Sequence, residues 1–150
     1  MASASPIPSF YRIFFTRIDP VVCLFGILSS VLTPNIVLNS YSPTYASPAR
    51  PETIMLLDHL AAFLVGFVFF QLYLLPKRAS DLLVWRGVQA GTLLIDICLL
   101  AAVTRSLAAQ GRLESGKLRV EDWGNVGITG TLAVVRSAFL LGIGMKGKKA

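Results

Sequence analysis

Four long apolar segments, separated by proline-rich or charged stretches, organise the chain. They cover residues 9–32, 52–75, 81–105 and 121–145. At a rise of about 1.5 Å per residue, an α-helix over any of them is long enough to cross a hydrocarbon core about 30 Å thick. The pattern predicts an all-α fold, a polytopic membrane four-helix bundle. Residues 1–150 then form a single membrane domain with short N- and C-terminal tails.

The stretches between these segments carry the signals that end helices. Residues 33–51 contain four prolines and are predicted to form a loop of turns and extended chain. The stretch Pro76-Lys77-Arg78 ends the second helix, Ser80 is the expected N-cap of the third, and 106–120 is expected to be a polar loop. Charged residues interrupt the first apolar run, so we interpret it as a retained helix rather than a cleaved signal.

Glycines recur at helical spacing in the third and fourth segments. Gly87 and Gly91 form a GxxxG motif, and Gly124, Gly127 and Gly130 recur every third residue. Small residues let helix backbones approach closely inside a membrane. We therefore expect these five glycines to lie at helix–helix contacts rather than to face lipid.

The composition excludes an ordinary soluble domain. Hydrophobic residues make up 54% of the chain, charged residues 15%, and the mean hydropathy is +0.65. The net charge is +6, but the basic residues stand mostly at helix ends and in short loops, which suits anionic lipid headgroups better than DNA. The predicted partner is the lipid bilayer and not nucleic acid. Cys23 and Cys98 lie in apolar runs and are expected to be small buried hydrophobes.

Topology follows from the number of crossings. Four crossings place both termini on one side of the membrane, and lysine and arginine are almost evenly divided between the two sides. We expect cytosolic termini and a location in the endoplasmic reticulum. Tyr11, Tyr73, Trp85 and Trp123 fall near predicted helix ends, as residues of an interfacial aromatic belt do.

Ionisable residues inside the apolar segments are the strongest pointers to function, because each costs about 2.5–3.5 kcal/mol on membrane insertion. Helix rise puts Asp19 and Asp96 about 14–15 Å deep, and the long side chain of Arg136 reaches a similar level from the fourth helix. We expect Asp96 and Arg136 to pair, with Asp19 facing the same interior, and these three residues are the candidate catalytic set.

A second group of residues has a weaker claim to line a pocket or support it. Its members are Arg12, Asp58, His59, Arg86, Trp123 and Asn125. Asp58 and His59 are expected near the opposite face, within reach of Asp122, Trp123 and Asn125. His59 is the single histidine of the chain, and histidine is a common acid–base residue in enzymes. The chain has no HExxH, CxxC, GxSxG, GxGxxG or P-loop motif, so no metal or cofactor is predicted.

Three stretches carry a family resemblance: YRIFFTRIDP, DLLVWRGVQAGTLLID and EDWGNVGITGTLAVVRSAFL. The chain resembles the small fungal integral membrane proteins of uncharacterised function that are often encoded in secondary-metabolite gene clusters. The matching residues are Tyr11, Arg12, Asp19, Pro20, Asp81, Trp85, Arg86, Asp96, Trp123, Gly124, Asn125 and Arg136. Ile97 and Cys98 depart from the pattern, since relatives often have Gly-His there.

The resemblance implies a tailoring step on a lipophilic polyketide or terpenoid. Two carboxylates and an arginine in a dry interior suit proton transfer to and from such a substrate, as in epoxide opening by hydrolysis or cyclisation, or in double-bond isomerisation. The layout also resembles the sterol-isomerase and sigma-2-receptor superfamily, in which buried acids handle protons. The alternative is a non-catalytic scaffold, lipid-binding protein or transport accessory, and contacts with a second copy or with pathway enzymes fit either reading. A substrate-sized pocket favours the enzyme, and a fully packed bundle favours the scaffold.

Overall fold

Five α-helices make up the fold in the computed structural model, which describes residues 6–44 and 47–145. They are α1 (Ser9–Leu32), α2 (Pro34–Tyr41), α3 (Pro51–Lys77), α4 (Leu82–Ala109) and α5 (Val120–Leu140). A short 3₁₀ turn, Ser115–Lys117, precedes α5, and no strand occurs within the described ranges. The predicted all-α membrane fold is confirmed. The predicted tails lie largely outside these residues.

Three of the helices, α1, α3 and α4, are long and apolar enough to cross a membrane. They support a lipid environment and a multi-pass membrane protein. The fourth long helix, α5, has 21 residues and is not in this set, because its first turns are polar. The assignment of α5 as a fourth span therefore stays a prediction.

Several predicted boundaries are wrong. A loop was expected over 33–51, but Pro34–Tyr41 is helical, because a proline at the first position of a helix has no N–H to leave unsatisfied. The α4 helix begins after Asp81, whose carboxylate accepts a hydrogen bond from the Val84 N–H, so Asp81 rather than Ser80 is the N-cap. It continues to Ala109, and α5 ends at Leu140 rather than 145.

The long helices form two pairs. The most extensive contacts join α1 to α3 and α4 to α5. An aromatic core lies at the end of the bundle where α1 starts. In it the Tyr11 hydroxyl donates to the Ile143 carbonyl (2.9 Å), and the Phe15 and Phe139 rings lie 5.5 Å apart. The core residues are Ile7, Tyr11, Phe14, Phe15, Leu75, Trp85 and Phe139. This core ties the N-terminal part of α1 to the C-terminal part of α5.

The four residues of the predicted aromatic belt divide into two exposed and two buried side chains. Tyr73 and Trp123 are exposed, as residues at a membrane interface should be. Tyr11 and Trp85 are buried in the aromatic core, and the Trp85 indole N–H donates to the Arg78 carbonyl at 3.0 Å. Trp85 therefore has its polar partner inside the protein, and position near a helix end does not decide which way a ring faces.

The opposite end of the bundle is closed by polar contacts around α2. The Arg119 guanidinium donates to the carbonyls of Asn39 (2.8 Å) and Ser40 (3.2 Å), and the Asn125 amide donates to Ser40 (3.3 Å). The last carbonyls of a helix have no partners within it and carry partial negative charge. These donors therefore cap α2 and attach it to the start of α5.

The expectation for the glycines is wrong. Gly87, Gly91, Gly124 and Gly127 are exposed, and Gly130 is half-buried. A Cβ atom added at any of the five would meet nothing within 4 Å. Large side chains make the α4–α5 contacts, among them Trp85 with Phe139 and Asp96 with Arg136, so these glycines are not needed for close packing within one chain.

Candidate functional site

Asp19 stands where α1 changes its winding. Residues Phe14–Ile18 form a π-helical segment, and Asp19 follows it directly, with Pro20 next. Proline has no backbone N–H, so one carbonyl in the preceding turn lacks its usual hydrogen bond. The wider π-helical turn changes the hydrogen-bond pattern there and accommodates this loss. The side chain of Asp19 is fully buried, at 0% exposure. Such π segments occur often at functional sites.

A matching segment on α3 brings a partner for Asp19. Residues Phe70–Leu74 are also π-helical, contact the α1 segment, and precede Pro76 as the first segment precedes Pro20. This segment carries Gln71, which is fully buried and donates an amide N–H to Asp19 Oδ2. Asp19 thus joins α1 to α3 at the place where both helices are widened.

Arg136 connects this pair of helices to the other pair. Its Nη2 donates to Asp19 Oδ2 at 2.6 Å, and its Nη1 donates to the carboxylate of Asp96 on α4. Arg136 is 1% exposed and Asp96 is 4% exposed. The predicted pairing of Asp96 with Arg136 and the predicted orientation of Asp19 are therefore observed, and Asp19 bonds to the same guanidinium.

The charges in this cluster are unequal. One guanidinium faces two carboxyls, so full ionisation would leave one net negative charge in a water-poor interior. Adding one proton makes the cluster neutral, and it then contains both an acid and a carboxylate. The Cys23 thiol, one turn after Asp19, also lies near it, with Sγ 3.9 Å from Oδ1. The cluster can therefore hold one exchangeable proton between two carboxyls on a common cation.

Several polar atoms in this part of the bundle are buried without a hydrogen-bond partner. They are both side-chain polar atoms of Gln89, Oε1 of Gln71 and Nε of Arg136. Gln89 is 0% exposed and lies on the face of α4 that also carries Asp96. Buried polar groups are nearly always hydrogen-bonded in proteins, so this set calls for an explanation.

The other residues predicted for the pocket lie elsewhere. Arg12, Asp58, His59 and Arg86 are exposed, and Trp123 is exposed as well. The expected grouping of Asp58 and His59 with Asp122 is wrong, because the side chains of both face outward from α3.

Asp122 and Asn125 belong to the opposite end of the molecule. Asp122 pairs with Arg112 and accepts a hydrogen bond from the Arg119 backbone N–H at 2.7 Å. A cavity of about 10 Å³ beside Asp122 and Asn125 has room for about one water. Arg136 stands fourteen residues further along α5, about 21 Å away by helix rise, so this cavity is not part of the cluster.

Two glutamines of this region, Gln71 and Gln89, are not among the predicted site residues, because the cost of burying charge identifies only ionisable groups. A signal was available, since Gln71 interrupts an apolar run and an amide in hydrocarbon also needs a partner. The cysteines differ from expectation in part: Cys23 is half-buried, whereas Cys98 is exposed. No group of three or more metal-binding side chains occurs among the described residues.

Comparison with known proteins identifies a family for the chain. A family model described as a domain of unknown function, DUF7704, matches residues 4–146, nearly the whole chain. No curated protein and no solved structure matches the chain.

Proposed function

Because the chain belongs to the DUF7704 family, whose description names no activity, we propose its function from the geometry of the cluster. The proposal is a membrane-embedded enzyme that carries out acid/base chemistry on a lipophilic substrate without a cofactor. The observation that carries it is the sharing of one buried guanidinium, that of Arg136, by the carboxyls of Asp19 and Asp96.

The reaction that uses both carboxyls is epoxide opening. The protonated carboxyl gives its proton to the epoxide oxygen as one C–O bond breaks. The ionised carboxyl removes a proton from water or from a hydroxyl of the substrate as that oxygen forms a new C–O bond. Water gives a diol and an internal hydroxyl gives a cyclic ether with a free alcohol. The proton gained by the second carboxyl returns to the first, and isomerisation of a double bond needs the same two groups.

The setting of the reaction is part of the same proposal. The resemblance to fungal proteins from secondary-metabolite gene clusters supports a polyketide or terpenoid substrate. A molecule of that kind dissolves in the bilayer. Because the side chains of the cluster are buried, the α1–α3 pair has to separate from the α4–α5 pair to admit it. We place the enzyme in the endoplasmic reticulum membrane with both termini in the cytosol.

The test compares Asp19→Asn with Glu52→Gln in the source organism. Glu52 is an exposed carboxylate in the first turn of α3, so its amide variant is a matched control. Asp19→Asn keeps an oxygen for Arg136 and Gln71 but cannot exchange an acid proton. We expect Asp19→Asn to accumulate the lipophilic intermediate that accumulates when the gene is deleted, and Glu52→Gln to form product normally.

Folding has to be measured in the same strains. Asp19→Asn leaves Arg136 paired with Asp96, so the amount of the chain in membranes and its behaviour in size-exclusion chromatography should stay normal. Normal product formation by Asp19→Asn would overturn the proposed catalysis.

A second candidate function is a non-catalytic membrane scaffold. Two observations favour it. Asp19, Gln71 and Arg136 are at most 1% exposed and join α1, α3 and α5, so the cluster also holds the helices together. The cavity of about 10 Å³ lies beside Asp122 and Asn125, not at the cluster, and is far smaller than a lipophilic substrate. Holding the helices together depends on hydrogen bonds rather than on proton exchange. The scaffold therefore predicts that a folded Asp19→Asn chain keeps its full function.

A further inference from the structure

Gln89 is a polar residue of the bundle interior whose burial is not explained by its contacts. Its side chain is fully buried, yet neither its amide nitrogen nor its amide oxygen has a hydrogen-bond partner. An amide hidden from water without partners lowers the stability of the folded chain. A leucine or methionine of similar size fits an apolar helix face without that penalty, so packing does not account for a glutamine here.

Its position relates Gln89 to the carboxyl cluster. Gln89 precedes Asp96 by seven residues, two helical turns, so both side chains lie on one face of α4 about 10 Å apart along the axis. Gln71 stands six residues before the end of α3, and Gln89 stands seven residues after the start of α4. Because the short connection over residues 78–81 joins these two helix ends, the two glutamines lie at the same level.

The unpartnered atoms at this level indicate what could bind. Gln89 Nε2 and Arg136 Nε are hydrogen-bond donors, whereas Gln89 Oε1 and Gln71 Oε1 are acceptors. A carbonyl or ether oxygen satisfies only donors. An alcohol hydroxyl can accept from one amide and donate to the other, so it matches both kinds of atom.

We propose that Gln89 binds a hydroxyl group of the lipophilic substrate and holds it beside the carboxyl cluster. This inference rests on the proposed function and narrows its substrate class to lipophilic alcohols. It assigns Gln89 a binding role and the carboxyls the proton transfer. If Gln89 serves binding and lowers the stability of the folded chain, replacing it by an apolar residue should raise that stability.

The experiment replaces Gln89 by leucine and measures stability and product formation separately. Gln89→Leu removes the unpartnered amide, so the Tm of the purified chain in detergent should rise by about 2–4 °C. In the source organism the ratio of product to intermediate should fall about tenfold, the effect of one lost hydrogen bond of moderate strength. Gln89→Met, which matches the length of glutamine, repeats the measurement if leucine packs badly.

The matched control is Thr92→Val, one turn further along α4. The Thr92 hydroxyl is bonded to the Val88 carbonyl of its own helix at 2.8 Å, so its loss should leave product formation unchanged. A lower Tm for both Gln89 variants would show that the amide has a partner within the protein and would overturn the proposal. A higher Tm with unchanged product formation would overturn it as well, since the amide then binds nothing that the reaction needs.

Two further readouts separate this inference from the function on which it rests. If Asp19→Asn blocks the reaction and Gln89→Leu does not, binding by Gln89 is wrong while the catalytic proposal stands. If neither variant affects the product, the catalytic proposal itself fails. The compound that accumulates in the Gln89→Leu strain is treated with a silylating reagent, and mass spectrometry detects each silylated hydroxyl as an increase in mass. A compound without a silylated hydroxyl would contradict the alcohol class.

Discussion

At the scale of single residues, Arg136 balances two carboxyls that come from different helices. It donates to Asp19 on α1 and to Asp96 on α4, and all three side chains are nearly or fully buried. Removing one member of a buried ion pair leaves an uncompensated charge, which is worse than removing both. Here the three residues differ in how many charged partners they have: Arg136 bonds to two carboxyls, whereas each carboxyl bonds to one guanidinium.

This inequality sets an order of stability among the alanine variants. Arg136→Ala leaves two carboxyls without a cation and should lower the free energy of unfolding by about 3–5 kcal/mol. Asp96→Ala leaves Arg136 bonded to Asp19 and should cost less. The double variant removes one charge of each sign, so it should be more stable than Arg136→Ala alone. Thermal unfolding and the monodisperse fraction in detergent measure the order.

The control for this series is Arg86→Ala, which removes an exposed arginine from α4. It should leave the unfolding temperature close to that of the original chain, because exposed charges contribute little. Additive losses in the double variant would show that Asp96 and Arg136 do not act as a pair.

The charged part of the cluster was predictable from the sequence, and the neutral part was not predicted. The cost of Asp19, Asp96 and Arg136 in hydrocarbon requires them to meet, and helix rise gives their depths. That argument fails for Asp58 and His59, which face outward: seven or eight residues into α3, depth alone does not tell which face of a helix a residue occupies. Facing is decided by the partner helix, which one sequence does not identify.

At the scale of helices, length and position were predictable, whereas packing faces were not. The proline pattern of residues 33–51 predicts a loop, yet Pro34 begins the short helix α2, because proline is also favoured at the first position of a helix. The glycine pattern was read as a contact face, yet α4 and α5 meet through other residues. Regularly spaced glycines permit another helix to approach closely, but they do not show that a helix of the same chain packs there.

The exposed glycines give a prediction for α5. Gly127 is exposed within the helix, and a Cβ there meets nothing within 4 Å. Since glycine is less favourable than alanine in a helix interior by about 0.8–1.0 kcal/mol, Gly127→Ala should raise the Tm by about 2–4 °C. The opposite sign is expected for Gly142→Ala, because the φ of Gly142 is +77°, a conformation that strains alanine. Thermal unfolding of both variants in one detergent measures the signs.

A lower Tm or a lower yield for Gly127→Ala would have a definite meaning. It would show that another chain or a bound molecule covers the glycine face of α5 in the membrane. The original expectation of a packed glycine face would then apply between molecules rather than within one chain.

At the scale of the whole molecule, contacts at both ends fix the course of α5. Its first residues lie beside the end of α2, the short helix that follows α1, because Arg119 and Asn125 bond to carbonyls there. Its other end lies beside the start of α1, where the Tyr11 hydroxyl bonds to Ile143. The α5 helix therefore runs from the end of α2 back to the start of α1, past Asp19, and so in the direction opposite to α1.

This course predicts that α5 crosses the membrane, although its composition is more polar than that of the other three long helices. Its 21 residues extend about 31 Å, enough for a hydrocarbon core of about 30 Å. The charge of Arg136 is paired in the interior and does not face lipid. Four crossings place residues 47–50 and 112–118 on one side, and residues 78–81 and 141–145 on the other.

Glycosylation mapping tests this arrangement, because an acceptor site is modified only when it lies in the lumen. With cytosolic termini, acceptors inserted at 47–50 and at 112–118 should both be modified, and acceptors at 78–81 and after 145 should not. The site at 78–81 is the control for the site after 145, since α4 and α5 together return the chain to the side on which α4 began. Modification of the site after 145 but not of the site at 78–81 would show that α5 does not cross. The contacts of Arg136 with α1 and α4 would then have to form without a fourth span.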